Sequence, residues 1–150
     1  MVTNIFKGSR DGWSKEVFGL KVFNQGPTIV LVKTLLGAIC GGFASKSWAG
    51  SGSWTNDNAA FVFNLNEKFI PSNYGNAIFL GSNANGFEFG NNILAIRGAQ
   101  QLNADNVGYC YVGTSNYYNI SGDSEGKSPL TGEKTNFTCV ELEVYKVVNY

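Results

Sequence analysis

Histidine does not occur anywhere in the 150 residues. Its absence removes the usual base of serine and cysteine nucleophile systems and a ligand of most catalytic zinc sites, so those enzyme classes are excluded within this chain. Cysteine occurs three times, at Cys40, Cys110 and Cys139, an odd number without CxxC spacing. Neither a paired disulfide framework nor a zinc knuckle follows, and buried thiols in a reducing compartment are expected. No metal and no cofactor is expected. Charge is scarce and balanced: Lys+Arg 11 offset Asp+Glu 11, and charged residues make up 15%. Basic residues are scattered singly from Lys7 to Lys146, which leaves no stripe to neutralise nucleic-acid phosphates or anionic lipid. No apolar run approaches the ~18 residues needed to span a bilayer, and the N-terminus Met-Val-Thr-Asn-Ile-Phe-Lys-Gly lacks a long apolar core. The expectation is a soluble, untargeted, cytoplasmic chain with no nucleic-acid partner and no membrane insertion.

What is present is apolar and aromatic: 43% hydrophobic residues, 14% aromatic residues and 19 glycines, at the size of one ordinary domain. Thr28 to Thr34 is β-branched and nearly continuous, as in a strand covered on both faces, while Ala59 to Leu65 places Phe61, Phe63 and Leu65 on one face. Near the C-terminus Val140, Leu142 and Val144 alternate with Glu141, Glu143 and Tyr145, predicting one apolar and one wet face. Shorter candidates are Asn4 to Lys7, Ala38 to Ala44, Ala77 to Leu80 and Ile93 to Arg97, separated by Gly, Asn and Ser clusters. A helix is predicted from about Ser14 to Phe23, with Trp13, Val17 and Leu20 at helical spacing and Asp11 or Ser14 as cap. Asn103 to Ser128 lacks pattern and reads as surface loops pinned by tyrosines. Many short strands with rich turn chemistry predict a mainly β, two-layer antiparallel sandwich with a few short helices.

Gly126-Lys127-Ser128 has the ending of a phosphate-binding loop, but Ser121 stands where that loop needs glycine, so a polar turn is expected. Gly50-Ser51-Gly52-Ser53-Trp54-Thr55 starts like a dinucleotide fingerprint, yet Thr55 replaces its last glycine, and it reads as a flexible loop. The sequons Asn119-Ile120-Ser121 and Asn136-Phe137-Thr138 matter only in a secretory compartment. Gly41-Gly42 marks a bulge or a close backbone approach. Trp13 and Trp48 are placed in the core and Trp54 nearer the surface. Glu141 and Glu143, two apart on a strand, point the same way about 6 to 7 Å apart, a spacing that overlaps inverting glycosidases. The plainer reading is solubility chemistry on a wet sheet face. Direct peroxide chemistry is disfavoured, because no histidine or resolving cysteine is available to a thiolate.

Several blocks in order are similar to one known module: Lys7-Gly8-Ser9-Arg10-Asp11-Gly12-Trp13-Ser14, Gly26-Pro27-Thr28-Ile29-Val30-Leu31-Val32-Lys33, and Cys40-Gly41-Gly42-Phe43 followed by Ser47-Trp48. Asp57 before Ala60 to Leu65, Phe89-Gly90 before Ile93 to Ile96, and Val140 to Val147 continue the match. Over nearly its whole length the chain resembles the TLDc domain of oxidation-resistance proteins, a nuclear-receptor coactivator group and many protist proteins. Gly8, Ser9, Gly12, Trp13, Gly41, Gly42, Trp48 and Gly90 are then its structural motif residues. Asn91-Asn92 departs from the glycines many members have after Phe89-Gly90, and Asn103 to Ser128 is hard to align. The resemblance implies two packed antiparallel sheets and no established catalytic site. It also implies a link to oxidative-stress resistance and association with the vacuolar proton-pumping ATPase, whose assembly state some members regulate.

Residues 1–150 are thus read as one TLDc-like domain, either a short member or one domain of a longer protein. The leading function is a non-enzymatic interaction domain, with organelle or cytoskeletal association through its partners. The candidate partner-binding residues are Arg10, Asp11, Trp54, Glu141 and Glu143. Two alternatives stand beside it: an architectural module built into a large assembly, and a carbohydrate-binding or glycosidase-like sandwich using Glu141 and Glu143.

Overall fold

The computed structural model describes residues 1–72, 74–79, 85–97, 107–109 and 117–148. Val2–Lys7 form β1, and two helices follow, α1 (Gly8–Asp11) and α2 (Lys15–Val22). Then come β2 (Thr28–Thr34), β3 (Ile39–Ala44), β4 (Trp54–Thr55), β5 (Phe61–Asn64), β6 (Lys68–Phe69) and β7 (Ile78–Phe79). The last described strands are β8 (Asn85–Phe89), β9 (Leu94–Arg97), β10 (Val107–Tyr109) and β11 (Asn136–Val147).

Two antiparallel layers result, and β11 belongs to both. Its first residues, Asn136 to Thr138, pair with β10 in the layer β4-β7-β8-β9-β10. From Cys139 onward β11 pairs with β2, and its C-terminal half also pairs with β1, completing the layer β1-β11-β2-β3-β5-β6. The register slips between Cys139 and Glu141, where the strand changes layers, the usual use of a bulge at a sheet corner.

The slip corrects the predicted face of β11. Leu142 and Val144 are buried as expected, but Val140 is 40% exposed, because the extra residue moves Cys139 and Phe137 into the core instead. In β2 only one face is fully covered: Thr28, Val30, Val32 and Thr34 are buried, Ile29 and Leu31 half-buried, and Lys33 exposed. In β5 Phe61 and Phe63 share a face as expected, but it is not the face that turns into the core. Val62 points into the core, Phe61 and Phe63 lie half-buried on the outer side, and Leu65 is exposed beyond the strand. Cross-strand partners decide this phase, since Phe61 stacks on Phe43 with centroids 5.4 Å apart.

Gly41 and Gly42 interrupt no register, so the bulge alternative fails and close approach is the cause. A Cβ on Gly42 would lie 2.5 Å from the ring of Phe89, and one on Gly41 would lie 2.1 Å from the Val30 carbonyl oxygen. Between the layers Trp48 is fully buried, edge-on to Phe89 at 5.3 Å. Its indole N–H donates to Thr28 Oγ1 at 2.8 Å, so this large side chain leaves no buried donor unpaired.

Helix α2 lies within the predicted span, and Ser14 is its cap, accepting from the Val17 amide at 3.2 Å. The buried face is Phe18 and Val22, however, and Leu20 is 83% exposed. Apolar residues occur on several sides of this short helix, and the edge contact of Phe18 with Phe6 at 5.2 Å selects the side that turns inward. Trp13 is half-buried against the core rather than inside it.

The Gly50–Thr55 segment is not wholly loop, since Trp54 and Thr55 pair with β7. Within Asn103 to Ser128, the strand β10 was not foreseen, whereas tyrosine pinning was: buried Tyr118 donates to the Ala77 carbonyl at 2.8 Å. Leu80, Cys110 and much of that loop region lie outside the described residues.

Candidate functional site

The register of the first layer assembles the site. On its outer face Glu141 stands beside Lys33, and Lys33 beside Ile39. In the next row Lys7, Glu143, Leu31 and Gly41 are successive cross-strand partners. Leu31, Val32, Lys33, Ile39, Glu141 and Glu143 line a shallow groove of about 220 Å³. It opens beside the β2–β3 turn, where Leu35 and Leu36 are 66% and 74% exposed. The Leu35 amide donates to the Thr138 carbonyl at 2.9 Å, which ties that turn to the bulge bearing Val140.

Glu141 and Glu143 point outward together as their spacing predicts, but they have different local duties. Glu141 Oε1 accepts from the amides of Ser9 and Leu142, both at 3.1 Å, and so clamps α1 onto β11. Glu143 accepts from the Tyr145 hydroxyl and pairs with Lys7 Nζ at 3.0 Å. The Tyr145 hydrogen bond first, and then the Lys7 ammonium, hold the Glu143 carboxyl below its usual range. A general acid needs the opposite shift, so Glu143 is poorly suited to protonate a glycoside.

Asp11 and Arg10 also serve the fold. Asp11 accepts from Arg10 at 3.0 and 2.7 Å and from the Lys7 amide at 2.9 Å, and Lys21 Nζ lies 3.4 Å away. The Arg10 guanidinium, followed by the Lys7 amide, keeps the Asp11 carboxyl well below the ordinary carboxylate range. Gly8 admits the Trp13 indole, since a Cβ there would lie 2.5 Å from that ring. Gly12 ends α1 at φ 92 and Gly90 follows β8 at φ 57, left-handed positions that favour glycine. The motif from Gly8 to Trp13 is therefore a clamped knob beside the groove.

Trp54 is not part of this surface. It lies in the other layer, 36% exposed, stacked on Tyr117 at 6.2 Å and tilted against Phe79 at 5.1 Å. The structure thus brings Ser9, Arg10, Asp11, Glu141 and Glu143 together and leaves Trp54 apart. Sequence reasoning missed Leu31, Lys33, Ile39 and Val140, and also the Leu35-Leu36 turn. The turn had a signal, because two leucines before Gly37 in a hairpin tip are unusual where polar residues dominate.

The two described thiols offer little chemistry. Cys40 and Cys139 are buried. Burial first, and then the nearby Glu141 carboxylate, push the Cys139 thiol up to about 12. Its Sγ donates to the Glu141 carbonyl at 3.3 Å, an environment opposite to that of a reactive thiolate. The Gly126-Lys127-Ser128 segment is the expected polar turn, with Asp123 Oδ1 accepting from the Glu125 and Lys127 amides, both at 2.9 Å. An acidic side chain there occupies the amides that a phosphate would need. Among the described residues no helix is long and apolar enough to cross a membrane.

Comparison with known proteins accords with this geometry. MTOR-associated protein MEAK7 of Gallus gallus is 28% identical over 157 residues, an alignment covering 95% of this chain and 31% of that protein. The chain therefore spans about a third of the length of that curated relative. The family model described as TLDc domain matches residues 2–148, from the first strand through the last. A match of that extent, running through both layers, the α1 knob and the Gly41-Gly42 crossing, establishes that the chain belongs to the TLDc domain family.

Proposed function

We propose that this chain is a non-enzymatic protein-interaction domain of the cytoplasm that docks onto the vacuolar proton-pumping ATPase and influences its assembly state, in a pathway of resistance to oxidative stress. Family membership supports the docking role, and the description of the chicken relative as MTOR-associated supports a protein as partner. The observation that carries the reading is the groove on the outer sheet face, where an apolar lining meets Glu141, Glu143 and Lys33. The low Glu143 pKa and the raised Cys139 pKa support binding over proton-transfer or peroxide chemistry.

Affinity capture of the folded chain from lysate of its own source, with partners identified by mass spectrometry, tests the reading. Charge reversal at Glu141 or Glu143 is a poor control, because those carboxylates hold Ser9 and Lys7. The double variant Lys33→Glu/Leu36→Asp changes two exposed side chains and leaves the network intact. Proton-pump subunits are expected with the native chain and not with the variant. Recovery of a different complex by the native chain would overturn the pump assignment, and undiminished recovery by the variant would remove this face.

A further inference from the structure

One opposite-charge pair on the outer face does not close. Glu141 and Lys33 are direct cross-strand partners, a placement in which opposite charges ordinarily meet. The Glu141 carboxylate turns to backbone amides instead, through Oε1. Among the described residues neither Glu141 nor Lys33 forms an ion pair. Both line the groove whose apolar surface comes from Leu31 and Ile39, so an acceptor and a donor border an aliphatic floor with no ion pair to either among the described residues.

Size narrows the occupant. At about 220 Å³ the groove falls below the roughly 300–1,000 Å³ of small-molecule sites. Its six lining residues are also far fewer than the roughly 20–30 per side of a stable interface, which argues against a second copy held by this groove alone. A few side chains of one short segment match the space, and the exposed Leu35, Leu36 and Val140 extend the apolar track beyond it.

We propose that the groove seats a short amphipathic segment of a partner protein, which places an aliphatic side chain on Leu31 and Ile39, a lysine or arginine at Glu141 and a carboxylate at Lys33. This rests on the reading of the chain as an interaction domain and adds the chemistry of what is bound. The two charges fix the orientation of the segment, because one with its basic and acidic residues exchanged meets like charge at both Glu141 and Lys33.

The test is panning of a random peptide display library on the folded chain, followed by titration of enriched synthetic peptides by fluorescence anisotropy and by backbone amide NMR. Enriched peptides should share an aliphatic residue flanked by one basic and one acidic residue, and should shift the amides of Leu31, Ile39 and Glu141. Glu141→Gln keeps the Oε1 acceptor and removes the charge, while Lys33→Gln alters an exposed side chain. Each should weaken binding about tenfold. Lys33→Glu should prefer peptides in which a second basic residue replaces the acidic one.

Peptides without charge bias, or affinities unchanged in both neutralised variants, would overturn the proposal. Shifts confined to the Trp54 and Tyr117 region would overturn the groove while leaving the chain a protein binder. Failure of any peptide to enrich would also overturn it, and lysate capture would then judge the interaction reading by itself.

Discussion

Replacing Gly42 by alanine adds one methyl group at a crowded point between the layers. The added Cβ would lie 2.5 Å from two atoms of the Phe89 ring and 2.9 Å from a third. That ring is fully buried and boxed by Trp48 at 5.3 Å and Phe87 at 6.0 Å, so it has little room to retreat. Overpacking of this kind costs about 1–3 kcal/mol. Removing a glycine from a strand interior offsets about 0.5–1 kcal/mol, leaving a net loss of about 1–2 kcal/mol. For a domain of this size the midpoint of thermal unfolding should fall by about 2–8 °C. The decisive assay is a double-mutant cycle by urea unfolding with Phe89→Leu, which vacates the space the methyl group needs. The two substitutions should couple favourably by about 1 kcal/mol. Gly41→Ala serves as a contrast, since its Cβ meets the Val30 carbonyl oxygen at 2.1 Å and Phe89→Leu cannot relieve it. A Gly42→Ala variant as stable as the native chain, or strict additivity with Phe89→Leu, would refute the argument.

Three further outcomes are expected. Asp11 and Glu143 both titrate below their ordinary values in the folded chain, so their contribution is complete above the unfolded pKa of about 4 and shrinks as pH falls from there toward the folded values. Denaturant midpoints of the native chain and Asp11→Asn should therefore converge between pH 7 and 3, and a constant or widening gap would contradict the assigned network. Peptide-resolved thiol labelling should leave Cys40 and Cys139 unmodified until the chain is denatured, and rapid native labelling of Cys139 would contradict its raised pKa. Ser14→Ala should lose about 1 kcal/mol and lower the thermal midpoint by about 2–4 °C, because the Val17 amide loses its cap. An unchanged midpoint would show that this end of α2 is held by packing instead.

Much of the fold was legible because it is written in short-range pattern. The β-branched run at Thr28 to Thr34, the alternation from Val140 to Val144 and the Ser14 cap each act within a few residues, so their strands and helix lie where predicted. Strands such as Asn85–Phe89 and Val107–Tyr109 were not, since little within them resists a turn-rich reading and their state depends on distant partners. The candidate site divides in the same way. Alternation placed Glu141 and Glu143 on one face, but their engagement with Ser9, Tyr145 and Lys7 requires β1 and α1 to close onto β11.

By itself the sequence determined what local chemistry can determine: the β-rich class, the missing histidine chemistry, the Ser14 cap and the family. Tertiary structure alone decided which faces turn inward, because a period-two pattern has two phases and only cross-strand partners choose between them. It turned Val62 rather than Phe61 and Phe63 into the core, and Phe18 rather than Leu20. It exposed Val140 through a bulge that no local pattern announces. It also left Glu141 and Lys33 without an ion pair among the described residues, since the register that sets them side by side also turns Glu141 Oε1 to the amides of Ser9 and Leu142.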